Sequence, residues 1–219
     1  MTTHNVMTRV TTVANENLIE VGLKATEDLM LQTVNSEVVV LRDASQHILG
    51  AGGKRIRPRM AILAYLAAGG ENVEEVAAPA AAVELMHTAS VVHDDINDHG
   101  VVRRGRPSVN AKWGRTFALL TGDFLFTAVY QVMAPYGELN LILAKAATAL
   151  VEGETLQAWA VKNNEFTSEN YMRIIALKTA ALFQAAAEMG ARSATDDETV
   201  IEALQQYAYN VGLAFQIVD

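Results

Sequence analysis

The chain of 219 residues contains no cysteine and only four prolines. Without cysteine there can be neither a disulfide framework nor thiolate chemistry. So few prolines, with alanine in runs and 51% hydrophobic residues, leave long helices uninterrupted and favour one all-α domain over residues 1–219 with a substantial core. Excess positive charge is also lacking. The formal net charge is −8, which argues against nucleic acid as a partner. Met1-Thr2-Thr3-His4-Asn5 is not a basic region followed by an apolar run, so no secretory signal is read. Apolar stretches such as Phe124–Tyr136 fall short of the ~20 residues that span a bilayer. No transmembrane segment is expected, and the location expected is cytoplasmic.

The basic residues that are present are concentrated. Seven of the 17 Lys and Arg fall in residues 54–59 and 103–106, which suggests a local anion site on an acidic protein. Apolar spacing predicts helix from Thr12 to Leu49, then from Pro58 to Gly69-Gly70, and over 72–98, 109–134, 138–162, 168–190 and 197–218. Val38-Val39-Val40-Leu41 could pass for a strand but is read as helix. No strand alternation is sustained, so an antiparallel helical bundle is the economical fold.

Between the two basic clusters stands Asp94-Asp95-Ile96-Asn97-Asp98. On a helix Asp94 and Asp98 lie one turn apart on one face, with Asp95 beside them. An acidic turn is usually solvated surface. Here three carboxylates follow directly from the mostly apolar Val83–His93, and their mutual repulsion calls for cations. Mg²⁺ takes such hard oxygen ligands and completes its octahedron with water and phosphate. Gly52-Gly53 and Pro58 fix the backbone that presents Lys54 and Arg57 near a helix start, where free N–H groups also favour anions. His87, seven residues before Asp94, shares its helix face to within about 20°. Taken alone it reads more readily as a core histidine. Together these groups point to an enzyme that handles diphosphate esters.

In their order along the chain, Gly52–Pro58, Glu84–Thr88, His93–Asp98, Arg103-Arg104-Gly105, Thr121–Leu125, Lys178-Thr179-Ala180 and Phe215–Asp219 resemble the trans-isoprenyl diphosphate synthases, or polyprenyl synthetase family. The resemblance implies a helical bundle of the isoprenoid synthase type around a central pocket, a homodimer, and Mg²⁺-dependent condensation of an allylic diphosphate with isopentenyl diphosphate. It implies that Asp94, Asp95, Asp98 and Asp219 hold Mg²⁺, with three ions in the substrate complex. Lys54, Arg57, His87 and Arg104 would receive isopentenyl diphosphate. Arg103, Lys178, Thr179 and Gln216 would take the allylic diphosphate. The resemblance also implies further aspartates and helices after Asp219, so a fold truncated at the C-terminus is expected and the activity is assigned to the parent enzyme.

Ala89 and Ser90 precede Asp94 at positions where, the resemblance implies, large aromatic residues would stop the product at fifteen carbons. Both are small, so twenty carbons or more are expected. The competing readings are a noncatalytic subunit of a heteromeric synthase, which would be expected to lack the aspartates or the basic loop, and a class I terpene cyclase, which needs no isopentenyl diphosphate site. A plain helical scaffold leaves the clustered charge unexplained.

Overall fold

The computed structural model describes residues 3–218, with side chains from Asn17 onward. The helices are α1 (Thr3–Thr33), α2 (Val39–Leu49), α3 (Ile56–Ala67), α4 (Ala77–Asn97), α5 (Val109–Trp113), α6 (Arg115–Met133), α7 (Gly137–Asn163), α8 (Ser168–Ile175), α9 (Ala181–Arg192) and α10 (Glu198–Val218). A π-helical turn, Ala176–Ala180, joins α8 to α9. The expected all-α bundle is therefore present.

At its centre is α4. Ala77 to Met86 are all buried, as are Thr88 and Ala89, so the helix has no solvent face over this stretch. A helix that is apolar all round belongs in a core. Its alanines let α1, α3, α6 and α9 close around it. α3 and α9 approach closest at Gly190, where an added Cβ would lie 2.1 Å from the Ala61 carbonyl oxygen.

The structure departs from the expected segmentation where local backbone chemistry overrides the apolar period. The stretch 12–49 is two helices, separated by a turn in which the Val38 N–H donates to Ser36 Oγ at 3.1 Å. Val39-Val40-Leu41 is helical, as read. The stretch 109–134 is divided at Gly114, whose φ of +83° cannot continue a helix, and the stretch 168–190 contains the π turn. Asp98 caps α4 rather than extending it: its N–H donates to the Asp94 carbonyl at 2.8 Å. Past it, Val102–Arg103 (β1) and Arg106–Pro107 (β2) form a small antiparallel ribbon that was not foreseen. Its two loop residues, Arg104 and Gly105, have φ of +52° and +73°, the positive values that the favoured two-residue hairpin turn requires.

The expectation about apolar runs also needs correction. By length and composition, Arg115–Met133 and Ser168–Arg192 are apolar enough to cross a bilayer. Both pack into the bundle, the second 61% buried along its most apolar window and α6 only 44%. The face that α6 leaves open carries Phe117, Leu119, Leu120 and Tyr130.

Because no side chain fits at the α3–α9 crossing, Gly190→Ala should destabilise the fold by about 1–3 kcal/mol, the usual cost of overpacking. That lowers Tm by roughly 2–12 °C for a chain of this length. An unchanged melting curve would show that the two helices can separate without loss.

Candidate active site

A cavity of about 500 Å³ opens among α3, α4, the ribbon, the π turn and α10, and its wall brings together residues far apart in sequence. Of those expected, Lys54, Arg57, His87, Ser90, Asp94, Arg103, Arg104, Lys178, Thr179 and Gln216 all line it.

The basic half is built on Arg55. At φ +47° it precedes α3 in a left-handed conformation that turns the loop. Its nearly buried guanidinium donates to Glu84 Oε1 at 2.8 Å, Glu27 Oε1 at 2.9 Å and the Leu49 carbonyl at 2.7 Å. The loop is thereby tied to α4, α1 and the end of α2. Arg57 lies over the Phe183 ring at 5.0 Å and its Nε is buried without a partner. Burial pulls its pKa down to about 10, against the attraction of Glu84. Arg104 donates to the Gly52 carbonyl, joining ribbon to loop. Gly53 is required beside it: its φ is +147°, and a Cβ there would come within 2.8 Å of the Arg104 guanidinium. His87 is held well below its usual pKa by burial and by Arg57, Arg104, Arg103 and Arg55, so it is neutral at neutral pH. These groups form an anion site with unspent donors.

The acidic half is built on the C-terminal end of α4. Asp94 faces the cavity, and its pKa is raised by burial and by Asp98, against the pull of Lys178. Asp98 is exposed and is not among the residues lining the cavity. Asp95, expected to hold metal with Asp94 and Asp98, is found in an ion pair with Arg103. One residue on means 100° around the helix, which takes it off the Asp94–Asp98 face. It is 1% exposed, and its Oδ1 accepts from Arg103 Nε at 3.1 Å and from the terminal nitrogen at 2.7 Å. That bond, more than any other contribution, raises the Arg103 pKa. Asp95 thus anchors the ribbon and aims Arg103 at the cavity. Asp219 lies outside the described residues. Among the described residues no three His, Cys, Asp or Glu side chains converge to hold a metal.

Lys178 and Thr179 sit on the π turn, a feature that often marks functional sites in helices. The turn lies against Gly153 of α7, where a Cβ would stand 2.6 Å from the Lys178 nitrogen. Thr179 Oγ1 donates to Gln216 Oε1 at 3.0 Å. The Lys178 ammonium donates to Glu154 Oε2 at 2.9 Å and Gln157 Oε1 at 3.2 Å, and Asp94 Oδ2 lies at 3.5 Å. Burial lowers the Lys178 pKa, but these partners outweigh it and the net direction is up. Glu154, Gln157, Arg55 and Glu84 were missed as site-building residues. For the first two the available signal was a carboxylate and an amide three residues apart, beside Glu152 and Gly153 in α7. Ala89 is fully buried in helix packing and does not line the cavity, whereas Ser90 does.

With this geometry in place, comparison with known proteins gives a consistent result. The family model for polyprenyl synthetase matches residues 38–219. The chain is 39% identical over 192 residues to the octaprenyl diphosphate synthase of Escherichia coli K12, covering 87% of this chain and 59% of that protein. It is 39% identical over 199 residues to heptaprenyl diphosphate synthase component 2 of Geobacillus stearothermophilus, covering 90% and 62%. Its fold superposes on the crystal structure of a polyprenyl synthase from Caulobacter crescentus CB15, complexed with calcium and isoprenyl diphosphate, with a TM-score of 0.88 and 38% identity, covering 92% of this chain and 62% of that one. The chain belongs to the polyprenyl synthetase family. It spans about three fifths of the length of these relatives.

The neutral state of buried His87 sets a pH dependence. The unfolded chain binds a proton at this position below about pH 6.5 and the folded state does not, so stability falls as pH drops through that value. Urea unfolding at pH 7.5 and 5.5 should show a smaller loss for His87→Gln than for the native sequence. Equal losses would mean that His87 is not held neutral.

Proposed function

We propose that this protein is a cytoplasmic trans-polyprenyl diphosphate synthase, joining an allylic diphosphate to isopentenyl diphosphate. The observation that carries this reading is that two anion-binding clusters face one cavity: Lys54, Arg57, His87 and Arg104 on one side, and Arg103, Lys178, Thr179 and Gln216 beside Asp94 on the other. A terpene cyclase would need only the second. A noncatalytic subunit of a heteromeric synthase is the alternative, and the retention of both clusters argues against it.

The donor set suits Mg²⁺ held jointly with a diphosphate. Asp94 and Asp98 offer hard oxygens one turn apart, and Asp94 carries a like-charge burden that a cation relieves. Bound there, Mg²⁺ would neutralise charge on the departing allylic diphosphate. Arg103, Lys178 and Thr179 would stabilise the same leaving group as its C–O bond breaks. Arg57 and Arg104 would hold isopentenyl diphosphate so that its double bond meets the allylic carbon within attack distance. Val91, Leu150, Leu182 and Phe215 wall the cavity and would keep water from the carbocation. Loss of a proton to the released diphosphate completes the condensation.

In the protein carrying this sequence, Asp94→Ala or Asp98→Ala should lower incorporation of labelled isopentenyl diphosphate by roughly 10²-fold or more while circular dichroism stays unchanged. Turnover near the native level in either variant would remove the metal assignment.

The tail of the product is read as passing Ser90 toward Met86, one turn further from Asp94. Met86 lines a neighbouring groove of about 430 Å³ with Phe126, Leu143, Ala147 and Val151, and these side chains make a candidate floor for a product of twenty carbons or more. The groove is edged by exposed Tyr130 and Val151, on the side where α6 leaves apolar surface open. A second copy of the chain covering that surface gives the homodimer. Ser90→Phe should shorten the product while preserving the first condensation. Chromatography of the dephosphorylated products reads the outcome, and an unchanged length distribution would place the tail elsewhere.

A further inference from the structure

Glu154 belongs to neither charged motif, yet it is the nearest anion to Lys178: 2.9 Å to its Oε2, against 3.5 Å from the ammonium to Asp94 Oδ2. An ammonium has three protons to place. Here Glu154 and Gln157, both on α7, take two of them. Gly153 lets α7 approach the backbone of Lys178 so closely that this arrangement is built into the packing. Lys178 is already within ion-pair range of Asp94, and without Glu154 that pair would tighten and compete with any cation for the same oxygen. We propose that Glu154 is a positioning residue that draws Lys178 toward α7, so that its 3.5 Å ion pair with Asp94 stays loose enough for a divalent cation to take Asp94. Gln157 assists as a neutral acceptor. The second carboxylate oxygen of Glu154, Oε1, is buried with no hydrogen-bond partner, so the group stays oriented by Lys178 alone. This rests on the reading of Asp94 as a metal ligand.

The test is titration of the whole chain with Mn²⁺, read by the electron paramagnetic resonance of the free ion, so that no catalysis is needed. Glu154→Ala should weaken Mn²⁺ binding about tenfold or more, as for other groups that orient metal ligands. Glu154→Gln, which keeps an oxygen acceptor for Lys178, should weaken it less. The decisive arm is a double-mutant cycle. If Glu154 acts through Lys178, Glu154→Ala should cost nothing when Lys178 is already methionine. A cost in that background equal to the cost in the native chain overturns the proposal. If the alanine variant fails to fold, Glu154→Gln carries the same cycle. Asp94→Ala separates the two layers. Binding lost in Asp94→Ala but unchanged in Glu154→Ala removes only the role of Glu154. Binding indifferent to Asp94→Ala removes the metal reading, and this inference with it.

Discussion

The buried carboxylate of Glu84 pairs with the guanidinium of Arg55 and its charge reaches those of Arg57 and Arg104, and the basic half of the cavity depends on that balance. Glu84 is 2% exposed and hydrogen-bonds Arg55 directly, while its charge also favours the protonated forms of Arg57 and Arg104. Arg55 spends its donors on Glu84, Glu27 and Leu49, so it builds the loop and has little left for a ligand. Arg57, with a buried and unpartnered Nε, is left in deficit. A buried charge with unused donors is costly unless something arrives to use them. The site is therefore left with a buried donor that, on the proposed reading, an anion with many oxygens would use.

The other half repeats this arrangement with the signs reversed. Asp94 and Glu154 flank one cation, Lys178, and burial, helped by the charge of Asp98, raises the pKa of both carboxylates. Here the excess charge is negative and a divalent cation is what is wanting. Such a cation brings its own appetite for phosphate oxygens. On the proposed reading, a diphosphate would then be held by metal at Asp94 and by Arg103 and Lys178 beside it.

Much of this was legible in the sequence because charge clustering and helical period are local signals. The spacing of Asp94 and Asp98, and the glycines before Lys54 and Arg57, survive translation into the fold unchanged. What was not legible depends on contacts between distant segments. The post of Asp95 is fixed by a ribbon only two residues long on each side, too short for an alternation signal. The π turn at Lys178 sits against Gly153, and Glu154 acquires its place from the same crossing; neither residue is remarkable within its own helix. The helix breaks at 34–38 and Gly114 were hidden because apolar spacing continues through them. Ala89 illustrates the limit of position along a helix. It neighbours Ser90, but 100° of rotation sends one into packing and the other to the cavity wall.

The placement of both clusters on their helices is also unfavourable in the same way. A helix carries partial positive charge at its N-terminus and partial negative charge at its C-terminus, and a side chain of like sign at either end costs about 0.3–1 kcal/mol. Arg57 is the second residue of α3, and Asp94 and Asp95 lie in the last turn of α4. Each end thus carries charge of the sign the dipole repels. Asp95 has a structural use there, since it pairs with Arg103 of the ribbon, but Arg57 and Asp94 tie down neither the loop nor the ribbon. The placement becomes favourable once the cavity is filled. A diphosphate at the head of α3 would meet the dipole and the guanidinium together, and a divalent cation at the foot of α4 would meet the dipole and the carboxylates together. Local rules are broken at both helix ends where ligand would restore them, which is where violations are expected in a protein whose remaining sequence agrees with its fold.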